Sequence, residues 1–196
     1  MHEVAHGWTA RWFGDRTAQM LGRLSLNPLR HIDPVGTLLV PGILLIVGGP
    51  LIGWAKPVPV ATSALRHPRR AMVLVAAAGP LANFAMALIW CGVLGGIARV
   101  NVNETLRNWI AFMAEAGILV NIVLAIFNLL PVPPLDGGRV LAGLLPPRWG
   151  SRLAQLEPVG LFLVLGLSIM RWLDWLFEPA FRVMGRVIQV LLGPGA

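Results

Sequence analysis

Two histidines and a glutamate open the chain, in the order His2-Glu3-Val4-Ala5-His6-Gly7. Residues four apart lie one turn apart on the same helical face, so both imidazoles can reach one metal ion. A catalytic zinc takes three protein ligands and keeps its fourth position open for water. Glu3, beside the first histidine, then fits the part of general base. It takes a proton from the attacking water and hands it to the leaving amine. The third ligand must come from elsewhere. His31 and His67 sit in basic loops beside Arg30 and Pro68, and read as solvated surface histidines. Asp136 differs. It follows a long apolar run and the segment Asn128–Leu135, where Pro131, Pro133 and Pro134 stop the helix. Gly137 and Gly138 after it permit close backbone approach. An unpaired carboxylate at membrane depth is costly, and a bound cation removes that cost. The plain alternative is a chance pair of surface histidines. The apolar context and the framed aspartate favour a zinc hydrolase with one ion per chain.

That context is a membrane. The 196 residues are 56% hydrophobic and 13% charged, with a mean hydropathy of +0.71. Soluble domains carry about 25% charged residues. A net charge of +7 comes from cations dispersed between apolar runs. This suits lipid headgroups and topology control, and no nucleic-acid partner is expected. The single cysteine, Cys91, excludes an intrachain disulfide. No cleavable signal peptide is expected, because the chain opens inside a motif rather than with a basic stretch.

A spanning helix needs about 20 apolar residues. Ala71–Ala98 has no charge and is bracketed by Arg69-Arg70 and Arg99. Trp109–Leu130 is the second span, broken only by Glu115, which reads as interfacial. Pro34–Ala55 is uncharged, but its prolines and glycines suit a re-entrant segment as well as a crossing. Basic residues flank it on both sides: Arg11, Arg16, Arg23 and Arg30 before, Lys56, Arg66, Arg69 and Arg70 after. A re-entrant course puts both loops in the cytoplasm and is preferred. It also brings the histidine helix and the Asp136 segment to the same side. Leu153–Phe177 is a weaker span with Trp172 and Trp175 near its end, and Val183–Leu192 is too short to cross.

Other polar residues carry two readings each. Asn83 can reach the metal site or bond a neighbouring helix, and Asn121 has the same ambiguity. Ala76–Gly79, Gly92, Gly95 and Gly96 read as small residues for helix packing. Arg139 pairs with Asp136 in a metal-free state or marks the cytoplasmic boundary. In Trp54–Val60, Pro57 and Pro59 blunt one strand edge. The other edge, through Lys56, Val58 and Val60, is then free to take up an extended substrate strand. The alternative is a proline-stiffened loop.

Taken together, His2-Glu3-Val4-Ala5-His6-Gly7, Ala78-Gly79-Pro80-Leu81-Ala82-Asn83 and Asn128–Arg139 carry a family pattern. The chain resembles the site-2 protease family of intramembrane zinc metalloproteases. It is similar to the compact branch without a PDZ domain, with Gly14-Asp15, Leu26-Asn27-Pro28, His31-Ile32-Asp33-Pro34 and Gly53–Val60 in register. The resemblance covers roughly residues 1–145, and the tail after Arg148 carries little. It implies zinc on His2, His6 and Asp136, with Glu3 as base. It implies cleavage of transmembrane proteins near the cytoplasmic side, often releasing a membrane-held regulator. It also implies that Asn128 lies near the active site, against substrate or the oxyanion. Family members carry apolar residues and a span ahead of the histidine helix, whereas Met1 directly precedes His2 here. The resemblance therefore implies an N-terminally truncated chain. A ligand in a fraying first turn predicts weak zinc retention.

The expected fold is an all-α membrane protein and a single membrane-embedded peptidase domain, residues 1–196. Its core is residues 1–145, built on three helices: His2–Phe13, Ala71–Ala98 and Trp109–Leu130. A re-entrant or β-hairpin insertion and C-terminal helices over 150–196 complete it. The expected function is intramembrane metalloendopeptidase, acting on transmembrane substrates in a prokaryotic plasma membrane. The competing reading is a catalytically inactive scaffold or chaperone of the same family. A metal transporter would need polar groups spread through the spans, which are nearly bare.

Overall fold

The computed structural model describes residues 1–48, 53–169 and 174–192. The chain divides into two compact units. One comprises Met1–Gly79 with Leu129–Trp172, the other Pro80–Asn128 with Leu173–Ala196.

The first unit begins with helix α1, His2–Trp12, close to the expected His2–Phe13. The Ala5 N–H donates to the Met1 carbonyl, so the first turn closes on residue 1. Val4, Gly7 and Ala10 form its buried stripe, at the i, i+3 spacing of a one-sided helix. Gly14, at φ +106°, turns the chain into the short helix α2, Thr17–Met20. A 3-10 turn at Pro28–His31 and a π-helical turn at Pro34–Leu39 follow. The Asp33 carboxylate caps the latter by accepting from the Val35 and Gly36 N–H groups. Helix α3, Val40–Ile46, continues from it. The apolar helical stretch Pro34–Ile46 rises about 20 Å, short of the roughly 30 Å hydrocarbon core. Residues 53–61 are extended. Among the described residues there is no strand, so the β-hairpin form of the insertion has no strand behind it here.

The unit's core sets Ala10 against Leu65, Ala71 and Val75, flanked by Phe13, Val60 and Met72. Ala71 and Val75 lie on the first part of helix α4, Pro68–Ile97. After residue 129 come α6 (Asp136–Leu144), α7 (Pro147–Ala154) and α8 (Glu157–Ile169). The Arg69 guanidinium caps α6, donating to the Gly143 carbonyl at 2.8 Å and to the Leu145 carbonyl. A cation suits the negative end of a helix.

The second unit holds the rest of α4, helix α5 (Glu104–Asn128) and helix α9 (Asp174–Leu192). Leu94, Ala114 and Ile118 are its buried centre, with Met184 and Ile188 of α9 packed on them. The Trp90 ring lies against Gly117, where any side chain would overlap it. Among the described residues, α4 and α5 are the two helices long and apolar enough to cross a membrane. They rise about 45 Å and 37 Å. Leu81, Leu88, Ile89, Phe112 and Met113 are exposed along them, as lipid-facing residues are. Of the weaker span expected over Leu153–Phe177, the described residues hold the end of α7 at Ala154, α8 over Glu157–Ile169 and the start of α9 at Asp174. Its Trp172 lies outside the described residues, and Trp175 is exposed.

Candidate metal centre

Helical spacing puts the His2 and His6 rings edge to face, with centroids 4.7 Å apart. Their Nε2 atoms are 3.1 Å apart. Asp136 joins them from the first position of α6. Its Oδ2 lies 3.1 Å from His2 Nε2 and 3.3 Å from His6 Nε2. A tetrahedral zinc about 2.0–2.1 Å from each ligand sets them about 3.3 Å apart. The three donor atoms therefore have the spacing one ion requires. The donor chemistry fits as well: two imidazole nitrogens and one carboxylate are a catalytic zinc set. All three side chains are largely buried, and Asp136 Oδ2 has no hydrogen-bond partner among the described residues. A buried carboxylate oxygen without a donor calls for a cation.

Each donor is held from behind. His6 Nδ1 donates to the Val75 carbonyl at 2.6 Å. That bond fixes the tautomer and leaves the Nε2 lone pair facing the other donors. Asp136 sits where the helix dipole favours an anion. The bend before it is tight. A methyl on Gly137 would overlap the Leu129 and Leu130 carbonyls, and one on Gly138 would overlap Val132 and Pro133.

Glu3 points its Oε2 at the backbone of the extended segment and accepts from the Val58 N–H at 2.9 Å. The expectation of a free edge through Lys56 and Val58 is corrected here. The Lys56 N–H donates to the His31 carbonyl at 2.8 Å, and the Val58 N–H is taken by Glu3. Val58 is itself buried. Two donors that a substrate strand would need are thus satisfied within the chain.

Asn83, Asn121 and Asn128 belong to the second unit, Arg139 to the first. Asn83 is buried. The Asn128 amide donates to the Leu124 carbonyl of its own helix at 2.9 Å, and Asn121 does the same to Gly117 at 2.8 Å. Arg139 pairs with Glu157 at 2.7 Å rather than with Asp136.

Three contributors escaped the sequence reading. Gly79, taken for helix packing, lies against both imidazoles, and a methyl there would overlap His6 and crowd His2. Gly160 of α8 meets the Pro133 carbonyl so closely that no side chain fits between. The tail therefore buttresses the Asp136 bend. Asp15 is the third. Its Oδ1 accepts from the Thr17 N–H at 2.9 Å and from the Thr17 hydroxyl, and its Oδ2 from the Ala61 N–H at 2.7 Å. Burial opposes its ionisation, but these bonds outweigh that and hold its carboxyl below the usual carboxylate range. The Asp-x-Thr pattern of a local side-chain turn was the available signal.

Comparison with known proteins agrees in kind. Peptidase family M50 matches residues 91–167, a stretch that contains Asp136 and lacks the histidines. A Bacillus subtilis protein named "Putative zinc metalloprotease YwhC" is 42% identical over 171 residues, which is 86% of this chain and 75% of the relative. "Putative zinc metalloprotease Rip2" of Mycolicibacterium smegmatis is 31% identical over 182 residues, 92% of this chain and 67% of the relative. Rip2 of Mycobacterium tuberculosis matches to the same extent. No solved structure matches the chain.

Proposed function

Since the chain belongs to the site-2 protease family, peptidase family M50, we propose that it is an intramembrane zinc metalloendopeptidase. Its substrates are membrane proteins, cut in or near their transmembrane segments. The observation that carries this reading is the convergence of His2 Nε2, His6 Nε2 and Asp136 Oδ2 to within 3.3 Å of one another.

These three residues would hold one zinc ion per chain. When bound, the ion supplies Lewis-acid polarisation of the scissile carbonyl and lowers the pKa of water. Glu3 moves the proton. Its Oε2 is engaged by Val58, which turns the carboxylate and leaves Oε1 to take a proton from the attacking water. The same oxygen returns that proton to the departing amine. The burial of the donors limits water around them, which strengthens each of these interactions.

The topology that fits is α4 and α5 as spans, with residues 34–55 re-entrant. Both flanking basic loops then face the cytoplasm, as positive charge prefers. The active site lies toward that face of a bacterial plasma membrane, within one peptidase domain over residues 1–196. Asn128, whose amide donates to the Leu124 carbonyl, and the buried Asn83 are carried as weaker substrate-contact candidates.

The test compares membranes of cells expressing the wild type and Glu3→Gln, with new peptide ends in membrane proteins read by mass spectrometry. Glu3→Gln should keep its zinc, measured with the ion in excess, and lose cleavage by about 10²–10⁴-fold. Identical peptide ends from both would overturn the proteolytic reading and favour a scaffold.

A further inference from the structure

The residue that orients Glu3 is itself anchored by a residue outside the metal centre. The Glu3 carboxylate accepts from a backbone N–H, that of Val58, on an extended segment that no sheet holds among the described residues. Segment 53–61 is instead pinned at a few points. The Trp54 and Lys56 N–H groups bond the Gly36 and His31 carbonyls. At the far end the Ala61 N–H bonds Asp15 Oδ2. Val58 lies between these pins, and Pro57 and Pro59 on either side of it stiffen the chain so that a displacement at one pin reaches it. Asp15 is well suited to be a fixed point. It is fully buried and its other oxygen is saturated by Thr17. It also follows Gly14, whose φ of +106° only glycine adopts readily. Further along, the Arg66 N–H bonds the Phe13 carbonyl and closes the same corner from the other side.

We infer that Asp15 is a positioning residue for Glu3, acting through the Ala61–Val58 stretch of backbone. The chain of contacts runs Thr17, Asp15, Ala61, Val58, Glu3. It ties the end of α1 back to its own first turn by way of a segment more than forty residues on. The inference rests on the protease reading for its consequence, but the contact chain stands on geometry alone.

Asp15→Asn cuts this chain at one link. An asparagine can still offer its carbonyl oxygen to both Thr17 donors, but then turns an NH2 toward the Ala61 N–H, and two donors cannot bond. The experiment is amide hydrogen exchange resolved at Val58 and Ala61, in the full chain in detergent. Asp15→Asn should speed exchange at both amides by about tenfold or more, whereas Glu3→Ala should speed it at Val58 alone. Thr17→Val, which keeps the Ala61 bond, should leave both near wild type. In the cleavage assay Asp15→Asn should lower kcat about tenfold, with KM and zinc content unchanged. Wild-type exchange at Val58 in Asp15→Asn would overturn the inference, as would a fall in kcat with Val58 still protected. If the wild type makes no Glu3-dependent cut, the protease reading fails while the exchange result still decides the contact chain.

Discussion

The two sides of the metal centre are built by different physics. On α1 the separation of the two imidazoles follows from the helix itself, since a spacing of four residues stacks them one turn apart. His6 then needs one further bond, to the Val75 carbonyl, to fix its ring. Asp136 has no such internal ruler. It stands at the end of an irregular bend whose shape depends on the absence of side chains at Gly137, Gly138 and Gly160. One side is thus specified by what is present at fixed spacing, the other by what is missing at scattered positions. A regular element tolerates change everywhere except at its contact face. An irregular bend has no redundancy, so each close approach carries part of its geometry.

The largest effect is expected where the α1 side meets its neighbour. Gly79→Ala should weaken zinc binding on the order of 100-fold, because the new methyl overlaps His6 and crowds His2. Helix propensity pulls the opposite way. Alanine in place of a mid-helix glycine favours the helix by about 1 kcal/mol. A zinc titration against a competing chelator, alongside thermal unfolding, separates the two. Gly92→Ala and Gly96→Ala on the same helix meet nothing and should leave zinc affinity unchanged. Wild-type affinity in Gly79→Ala would show that the histidine side has slack.

On the aspartate side, Gly160→Ala should cost about tenfold in zinc affinity. The methyl falls on the Pro133 carbonyl and must push the bend that aims Asp136. The neighbouring ion pair between Arg139 and Glu157 joins α6 to α8, but both side chains are about half exposed. An exposed pair is worth about 0–1 kcal/mol. Arg139→Ala should therefore change zinc affinity by less than about threefold. The reverse ranking would mean that charge, not close packing, holds α8 against the bend.

The same contrast explains what could be read from the residues alone. His2, Glu3 and His6 announce themselves by spacing, and Ala71–Ala98 and Trp109–Leu130 by unbroken apolarity. Both patterns are local, and the helices found at Pro68–Ile97 and Glu104–Asn128 follow them. Asp136 was legible because prolines and glycines crowd around it within ten residues. Gly79 was visible but misassigned, since a small residue in a helix reads the same whether it faces a helix or an imidazole. The engagement of Lys56 and Val58 was out of reach. Their partners, His31 and Glu3, lie 25 and 55 positions away, and no periodicity links an extended loop to either. The role of Gly160 in the tail was hidden for the same reason, because its contact is with Pro133.

A pH titration gives the smallest effect and sharpens the comparison from another side. The α1 side is anchored through a buried carboxylate, Asp15, whereas the Asp136 bend is buttressed by uncharged close contacts at Gly137, Gly138 and Gly160. Burial raises the cost of ionising Asp15, yet the Thr17 and Ala61 donors prevail and keep its folded value below the unfolded one. A group depressed in this way stabilises the fold above its unfolded value, and that contribution is lost as pH falls through the folded value. The window therefore opens below about pH 4. Thermal unfolding in detergent should show the wild type losing stability across that window more steeply than Asp15→Asn, which has no proton to gain there. At about pH 7 Asp15→Asn should already be the less stable by a few degrees, having given up the Ala61 bond. The two curves should converge in acid, since both chains then lack a charged acceptor at residue 15. Parallel curves at all pH values would show that the α1 side, like the bend, is held by packing alone.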